Sequence, residues 1–426
     1  MALVIEGGLD IAIPRMVPIR QKFPGPEIKD VAAEIKQLVA RDGRMKEIKK
    51  GSRIAITAGS RGIHSIDKII GAVVKELQAL GAQPFIVPAM GSHGGATAEG
   101  QRKVLAEYGI TDGTMGVPVQ SSMETEKIGE LANGVPVYLD RIALKSDGIV
   151  VVNRVKPHTA FKADYESGLC KMLAIGLGKH KGATAFHSCG MDEFGELLPQ
   201  LGKVVLDNAP VLFGLAVIEN AYDHPAKLEI VWKETLVKRE KELLAEAKGL
   251  MPRILLDNLH LLLVQEIGKE ISGSGMDPNI TGRSASPHFH KPDALKVEKI
   301  VALNLTAASK GNACGIGTAD VTTKKFVESM NLDYTYVNAI TSGVLATARI
   351  PLQMPTDREA IQLALKSCAR VKHPETRIVW IKNTLSLEKL YASEPLLAEI
   401  RKNSQIEILG DPRPMPFDGN GGLSYP

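Results

Sequence analysis

The apolar positions along this chain change period repeatedly, and each change marks a new element. Arg53 to Gly59, "RIAITAG", is a short β-branched and apolar run that predicts a buried strand. The next stretch, "IHSIDKIIGAVVKELQALG", shifts to helical spacing and stops at Gly81. "QPFIVPAM" returns to strand character and ends at Met90. After the turn "GSHGG", Thr97 is placed to N-cap a helix reading "AEGQRKVLAEYG". A further strand, "GIVVVNRV", leads into "VKPHTAFKADYESGLCKML", where polar and apolar residues no longer follow either period.

The helix "ETLVKREKELLAEAKGLMPRILLD" and the strand "HLLLVQEIG" are expected to close this first half. "ISGSGMDPNITGRSASPHFHKPD" has hinge-like composition, and a second α/β unit starts at "KIVALNLT" and includes "TRIVWIKNT". The prediction is an α/β protein of two α/β domains, residues 1–268 and 269–426, with a cleft between them and a hinge near residues 268–292. The tail "LGDPRPMPFDGNGG" reads as a surface extension.

In such units ligands gather beyond the carboxyl ends of the strands. That rule puts Ser60 with Arg61, Ser92 with His93, and Lys156 to His158 on one rim. The overall composition adds exclusions. Over 426 residues the net charge is only +4 and aromatics are 4%, which argues against a nucleic-acid surface. Four scattered cysteines form no CxxC pair, so neither a disulfide framework nor a structural zinc site is indicated. No apolar run reaches membrane-spanning length and no signal peptide is evident, so a cytoplasmic protein without a membrane partner is expected.

Several residues can carry chemistry, each with a plainer alternative. His93 is either a turn histidine or a base on Gly-rich backbone, and Gly94 and Gly95 before a helix could cradle a phosphate. His158, after Pro157, could form the second member of an acid/base pair. Lys171 lies among Gly168, Leu169, Cys170, Met172 and Leu173. Its amine is either reactive, snorkelling outward, or covalently tied up. His187, with Cys189 and Asp192 near in sequence, is a possible metal ligand. His288 and His290 are another possible pair, though a hinge loop favours exposure. Lys310 enters a Gly-rich turn suited to an anion, and Arg61 could clamp a carboxylate.

The ordered motifs "AGSRG", "GSHGGAT", "VKPHTAF", "GLCKML", "AFHS" and "LNLTAASKG" resemble those of the lactate racemase family. The resemblance implies a nickel-pincer nucleotide, a pyridinium thioamide-thiocarboxylic acid mononucleotide holding nickel. By the same resemblance His93 and His158 are the two catalytic bases and Lys171 is the covalent anchor of the cofactor. His187, sixteen residues beyond Lys171, is the nickel ligand. Arg61 and Lys310 meet substrate, Lys310 also touching the cofactor. Expected partners are a small 2-hydroxyacid and the enzymes that mature the cofactor.

The chain also departs from the pattern. The segment after His158 is longer and more polar, with Lys162, Asp164, Tyr165 and Glu166 available to meet hydroxyls. Ala58 and Ala307 stand where an acidic residue and a glutamine are expected. These differences favour a sugar acid or other larger polar 2-hydroxyacid over lactate. The competing readings are a non-catalytic binder of sugar acids and an enzyme that forms a Schiff base through Lys171.

Overall fold

The computed structural model describes residue 6 and residues 8–60, 62–369 and 371–426. It is an α/β structure that falls into two compact units. Gly25–Met251 form one, while Met1–Pro24 and Pro252–Pro426 form the other. The strands in chain order are β1 (Met16–Gln21), β2 (Arg53–Ala58), β3 (Gln83–Pro88), β4 (Thr125–Glu130), β5 (Pro136–Asp140), β6 (Gly148–Arg154), β7 (Val211–Glu219) and β8 (Pro225–Trp232). They continue with β9 (Leu259–Ile267), β10 (Val297–Leu305), β11 (Val321–Thr323), β12 (Leu352–Met354), β13 (Ile378–Ile381), β14 (Lys389–Ser393) and β15 (Ile406–Ile408).

The unit of residues 25–251 is built on a five-stranded sheet in the order β3-β2-β6-β7-β8. Its first four strands are parallel and β8 runs antiparallel to β7. Alternation along each strand feeds two cores. Ile54, Ile56, Val150 and Val152 pack on one face with Ile69 and Val73 of the helix Ile66–Ala79. Ala55, Ile149 and Val151 pack on the other with Leu169, Leu197, Leu201 and Leu243. The stripe Ile66, Ile69, Ile70, Val73, Val74 and Leu77 explains why that segment folds as a helix against the sheet. A separate hairpin joins β4 and β5.

The other unit carries an eight-stranded sheet, β12-β11-β10-β9-β13-β14-β1-β15. This arrangement corrects the expected boundary at 268. Strand β9 does not close the first half; it lies between β10 and β13 and pairs in parallel with both. Strand β1, from the start of the chain, pairs with β14 and β15. The expected hinge near 268–292 is likewise part of this unit, tied by Asp277 N–H to Thr384 Oγ1 at 3.0 Å and by Arg283 to Asp320 at 2.5 Å. Nor is the tail a surface extension, since Met415 and Leu423 are buried beside Trp380 and Leu263. Among the described residues no helix is long and apolar enough to cross a membrane.

Candidate functional site

Three neighbouring parallel strands, β3, β2 and β6, end on one rim of the residue 25–251 unit. The turn after β3 carries His93, the turn after β2 carries Ser60, and the loop after β6 carries His158. His93 and His158 thus follow strands β3 and β6, which have β2 between them.

His93 is exposed, and its Nδ1 is hydrogen-bonded to the Ser60 hydroxyl. The Ser60 carbonyl accepts from Tyr108 O–H at 3.0 Å, so the β2 turn is held from behind. Gln101, fully buried, donates from Nε2 to the carbonyls of Gly91 (2.8 Å) and His93 (3.3 Å). Its Oε1 accepts from the ammonium of Lys179 at 3.1 Å, which fixes the orientation of the amide. Lys179 is itself fully buried, paired to Asp140 at 3.0 Å and donating to the Pro88 carbonyl. Desolvation lowers its pKa, and Asp140 opposes that shift. Gly94 has φ +66°, and a Cβ there would come 2.6 Å from the backbone of Gly100 and Gln101. Glycine is therefore required by the packing of this turn on the helix Ala98–Glu107. Thr97 caps that helix, accepting the Gly100 N–H at 3.0 Å. Gly95, also at positive φ, has open space around its Cβ position.

His158 is half-buried. Its Nδ1 accepts the Ala160 N–H at 3.1 Å, so the neutral ring carries its proton on Nε2. Accepting a proton at Nε2 requires the ring to turn away from Ala160. The ring stacks on Phe161 with centroids 4.5 Å apart, Phe161 meets Phe194 at 5.7 Å, and Phe194 meets the ring of His187 at 5.3 Å. An aromatic wall therefore joins His158 to His187.

Lys171 ends the short helix Leu169–Lys171, which passes directly into the π-helix Met172–Gly176. Single π turns are frequent at functional sites because they re-aim side chains within a helix. The three strand ends bracket this segment. Asn153 Nδ2, near the end of β6, donates to the Gly168 carbonyl at 2.7 Å. The Met172 methyl lies under Gly59, where a Cβ would approach it to 2.9 Å. Gly91 N–H donates to the Gly176 carbonyl at 3.2 Å. Lys171 is half-buried while Leu169, Cys170, Met172 and Leu173 are buried. Its ammonium is close enough to act on His187, whose pKa is lowered first by desolvation and then by the charge of Lys171. Behind the Lys171 segment, the fully buried Glu240 accepts the Cys170 N–H at 2.7 Å, and burial pushes its pKa up to about 7.

Sequence residues His93, His158, Lys171 and His187 thus belong to one unit, and the first three share the rim. Lys310 lies in the other unit, exposed after β10 with φ +50°. Arg61 lies outside the described residues. Of the residues after His158 expected to meet substrate hydroxyls, Lys162 and Glu166 are instead engaged with each other, while Asp164 is exposed. Glu166 is buried with Lys162 and Lys248 paired to it, and Asp164 pairs with Lys241 at 2.5 Å. Gln101, Lys179, Asp140 and Glu240 were not legible as supports of the site. Gln101 and Glu240 sit in ordinary polar helical stretches, and "GLGKHKG" looks like a solvated basic run.

Residues 11–195 match the family model of the lactate racemase N-terminal domain. Residues 11–195 are thus a lactate racemase N-terminal domain. In fold it is similar to the lactate racemase apoprotein from Thermoanaerobacterium thermosaccharolyticum, with TM-score 0.54 and 15% identity over 87% of this chain and 99% of that one. It is also similar to a structural-genomics protein from Thermotoga maritima, with TM-score 0.53 and 13% identity over 85% of this chain and 98% of that one. No curated protein sequence matches this chain significantly.

Proposed function

We propose that this protein is a racemase or epimerase at C2 of a 2-hydroxyacid, acting with a nickel-pincer nucleotide anchored on Lys171. The observation that supports this most is the seating of the Lys171 segment against the three strand ends that carry Ser60, His93 and His158.

The residues present fit the group. Anchoring through a thioamide neutralises the Lys171 amine, which removes the positive charge acting on His187 and suits its apolar neighbours. Among the described residues no cluster of three or more His, Cys, Asp or Glu side chains could hold a metal. A single protein ligand, His187, matches a nickel ion whose soft donors come with the cofactor. Lowering of the His187 pKa keeps its ring neutral and able to ligate. When bound, the group supplies nickel and an acceptor for the Cα hydrogen with its electron pair.

The chain's own residues move the proton. His93 accepts the substrate hydroxyl proton at Nε2 while Ser60 accepts from Nδ1–H, which orients the ring. His158 serves the opposite face once its ring turns from Ala160, and returns a proton after the 2-keto acid has presented its other side. Positioned bases contribute about 10²–10⁴-fold, roughly 3–5 kcal/mol. That is short of the ~8 kcal/mol or more that enzymes supply, so the cofactor is required for the C–H step. The aromatic wall of Phe161 and Phe194 excludes water from the His158 side. Arg61 is assigned the carboxylate and Lys310 a contact to substrate and cofactor. Gly95, with open space above it, is the better placed of the glycine pair for a cofactor contact.

A polar acid larger than lactate is the first substrate class to test, because Ala58 and Ala307 replace the longer polar groups the resemblance leads one to expect. Lys162 and Glu166 do not contribute to that choice, being engaged inward. Protein produced with the cofactor-maturation enzymes should interconvert the C2 epimers of at least one acid in a panel of lactate, glycerate and longer aldonic acids. Loss of activity in His93→Ala with nickel retained is expected. Cofactor-loaded protein inactive on the whole panel would overturn the reading.

A further inference from the structure

We infer that Glu166, acting with Lys162, is a positioning residue that fixes the main chain of His158 for proton transfer. The inference rests on the reading that His158 is one of the two proton-transfer groups.

Glu166 has a side chain with no exposed surface. Its Oε2 accepts the His158 N–H at 2.6 Å and the Lys162 ammonium at 3.0 Å. Its Oε1 is ion-paired with the Lys248 ammonium at 2.7 Å and accepts the Ala163 N–H at 3.3 Å. Three hydrogen bonds and an ion pair engage both oxygens of this buried carboxylate, which turns it away from a substrate hydroxyl. Lys162 Nζ also donates to the His158 carbonyl at 2.7 Å. Both backbone polar groups of His158 are therefore held by one ion pair, in a loop that has no helix or strand to hold them. The hold is on the main chain, while the ring meets Ala160 and Phe161. That division suits a ring that must turn between donating and accepting without its backbone moving.

A buried ion pair of purely structural value would affect both faces of the substrate alike. A device that positions His158 affects only the half-reaction this histidine serves. Steady-state kcat/KM cannot reveal the difference, because the equilibrium constant between enantiomers ties the two directions together. Single-turnover oxidation can. In it the hydroxyl proton leaves to a histidine and the Cα hydrogen leaves with its electron pair to the bound cofactor, giving the 2-keto acid.

Cofactor-loaded wild type, Glu166→Gln and Lys162→Gln are mixed separately with the two C2 epimers of lactate, of glycerate and of the longer aldonic acids in the panel. Keto acid is trapped as its hydrazone and measured by rapid quench. In both variants its formation from one epimer is expected to slow by about 10-fold or more, the scale set by small misplacements of catalytic groups, with the other nearly unchanged. The affected epimer should be the one lost in His158→Ala and spared in His93→Ala. On the cofactor-free protein, the His158 amide should exchange with solvent much faster in Glu166→Gln than in wild type. Equal slowing for both epimers, no slowing, or an unchanged amide exchange rate would overturn the inference. If Glu166→Gln does not fold, Lys162→Gln decides the matter through the His158 carbonyl. Absence of keto acid from wild type with every probe would instead refute the functional reading, and amide exchange would still decide whether Glu166 holds His158.

Discussion

The ammonium of Lys171 lowers the pKa of His187, adding to the effect of partial desolvation. Two groups sixteen residues apart in sequence thus share one electrostatic environment. Their coupling gives a prediction that needs no cofactor. In Lys171→Met the His187 ring should titrate at higher pH than in wild type, because one of its two lowering influences is gone. Histidine-labelled NMR titration checks this. An unchanged His187 titration would separate the two residues.

Ser60 orients His93 through Nδ1. Ser60→Ala is expected to reduce kcat by about 10-fold, the size of a lost orienting hydrogen bond of ~1.4 kcal/mol, with KM little changed. Steady-state kinetics of the cofactor-loaded variant measure it, and an unchanged kcat would show that the Ser60 contact does not orient the ring.

Lys179 and Asp140 form an ion pair with both side chains fully buried. Lys179→Met leaves the Asp140 carboxylate without its charge partner and frees the Gln101 amide that holds the His93 turn. A loss of about 3–5 kcal/mol in folding stability is expected, measurable by urea denaturation. A loss below 1 kcal/mol would show that the pair carries little of the turn's support.

Much of the rim was legible in sequence because its strands are short, apolar and followed by Gly-rich turns. Thr97 as N-cap, His93 after β3 and His158 after β6 all follow from local pattern. Long-range pairing was not. Nothing in residues 16–21 signals a partner at 389–393, so the domain boundary was misplaced. Met415 and Leu423 were read as tail because turn residues surround them, yet they complete a core. Glu166 and Lys162 were read as available to substrate hydroxyls because charge in a loop does not disclose what it pairs with.

Glu240 gives a pH dependence with a definite sign. Its ordinary pKa of 4.5 rises to about 7 in the folded protein. Between those values the folded state holds a proton that the unfolded chain has released, so stability falls as pH rises through that window and levels off above it. The effect is on the order of 3 kcal/mol. In Glu240→Gln this fall should be absent, so the variant gains on wild type between pH 4.5 and pH 8 in parallel Tm measurements. Parallel pH curves for the two proteins would contradict the assignment.

The central claim is that Lys171 carries the cofactor beside His93 and His158. Mass spectrometry of protein matured with the cofactor-biosynthesis enzymes, followed by peptide mapping, tests it most directly. A nucleotide-sized, sulfur-containing adduct confined to the peptide bearing Lys171, and absent from Lys171→Ala, is the predicted result. An unmodified chain, or the same adduct on a different residue, would contradict it.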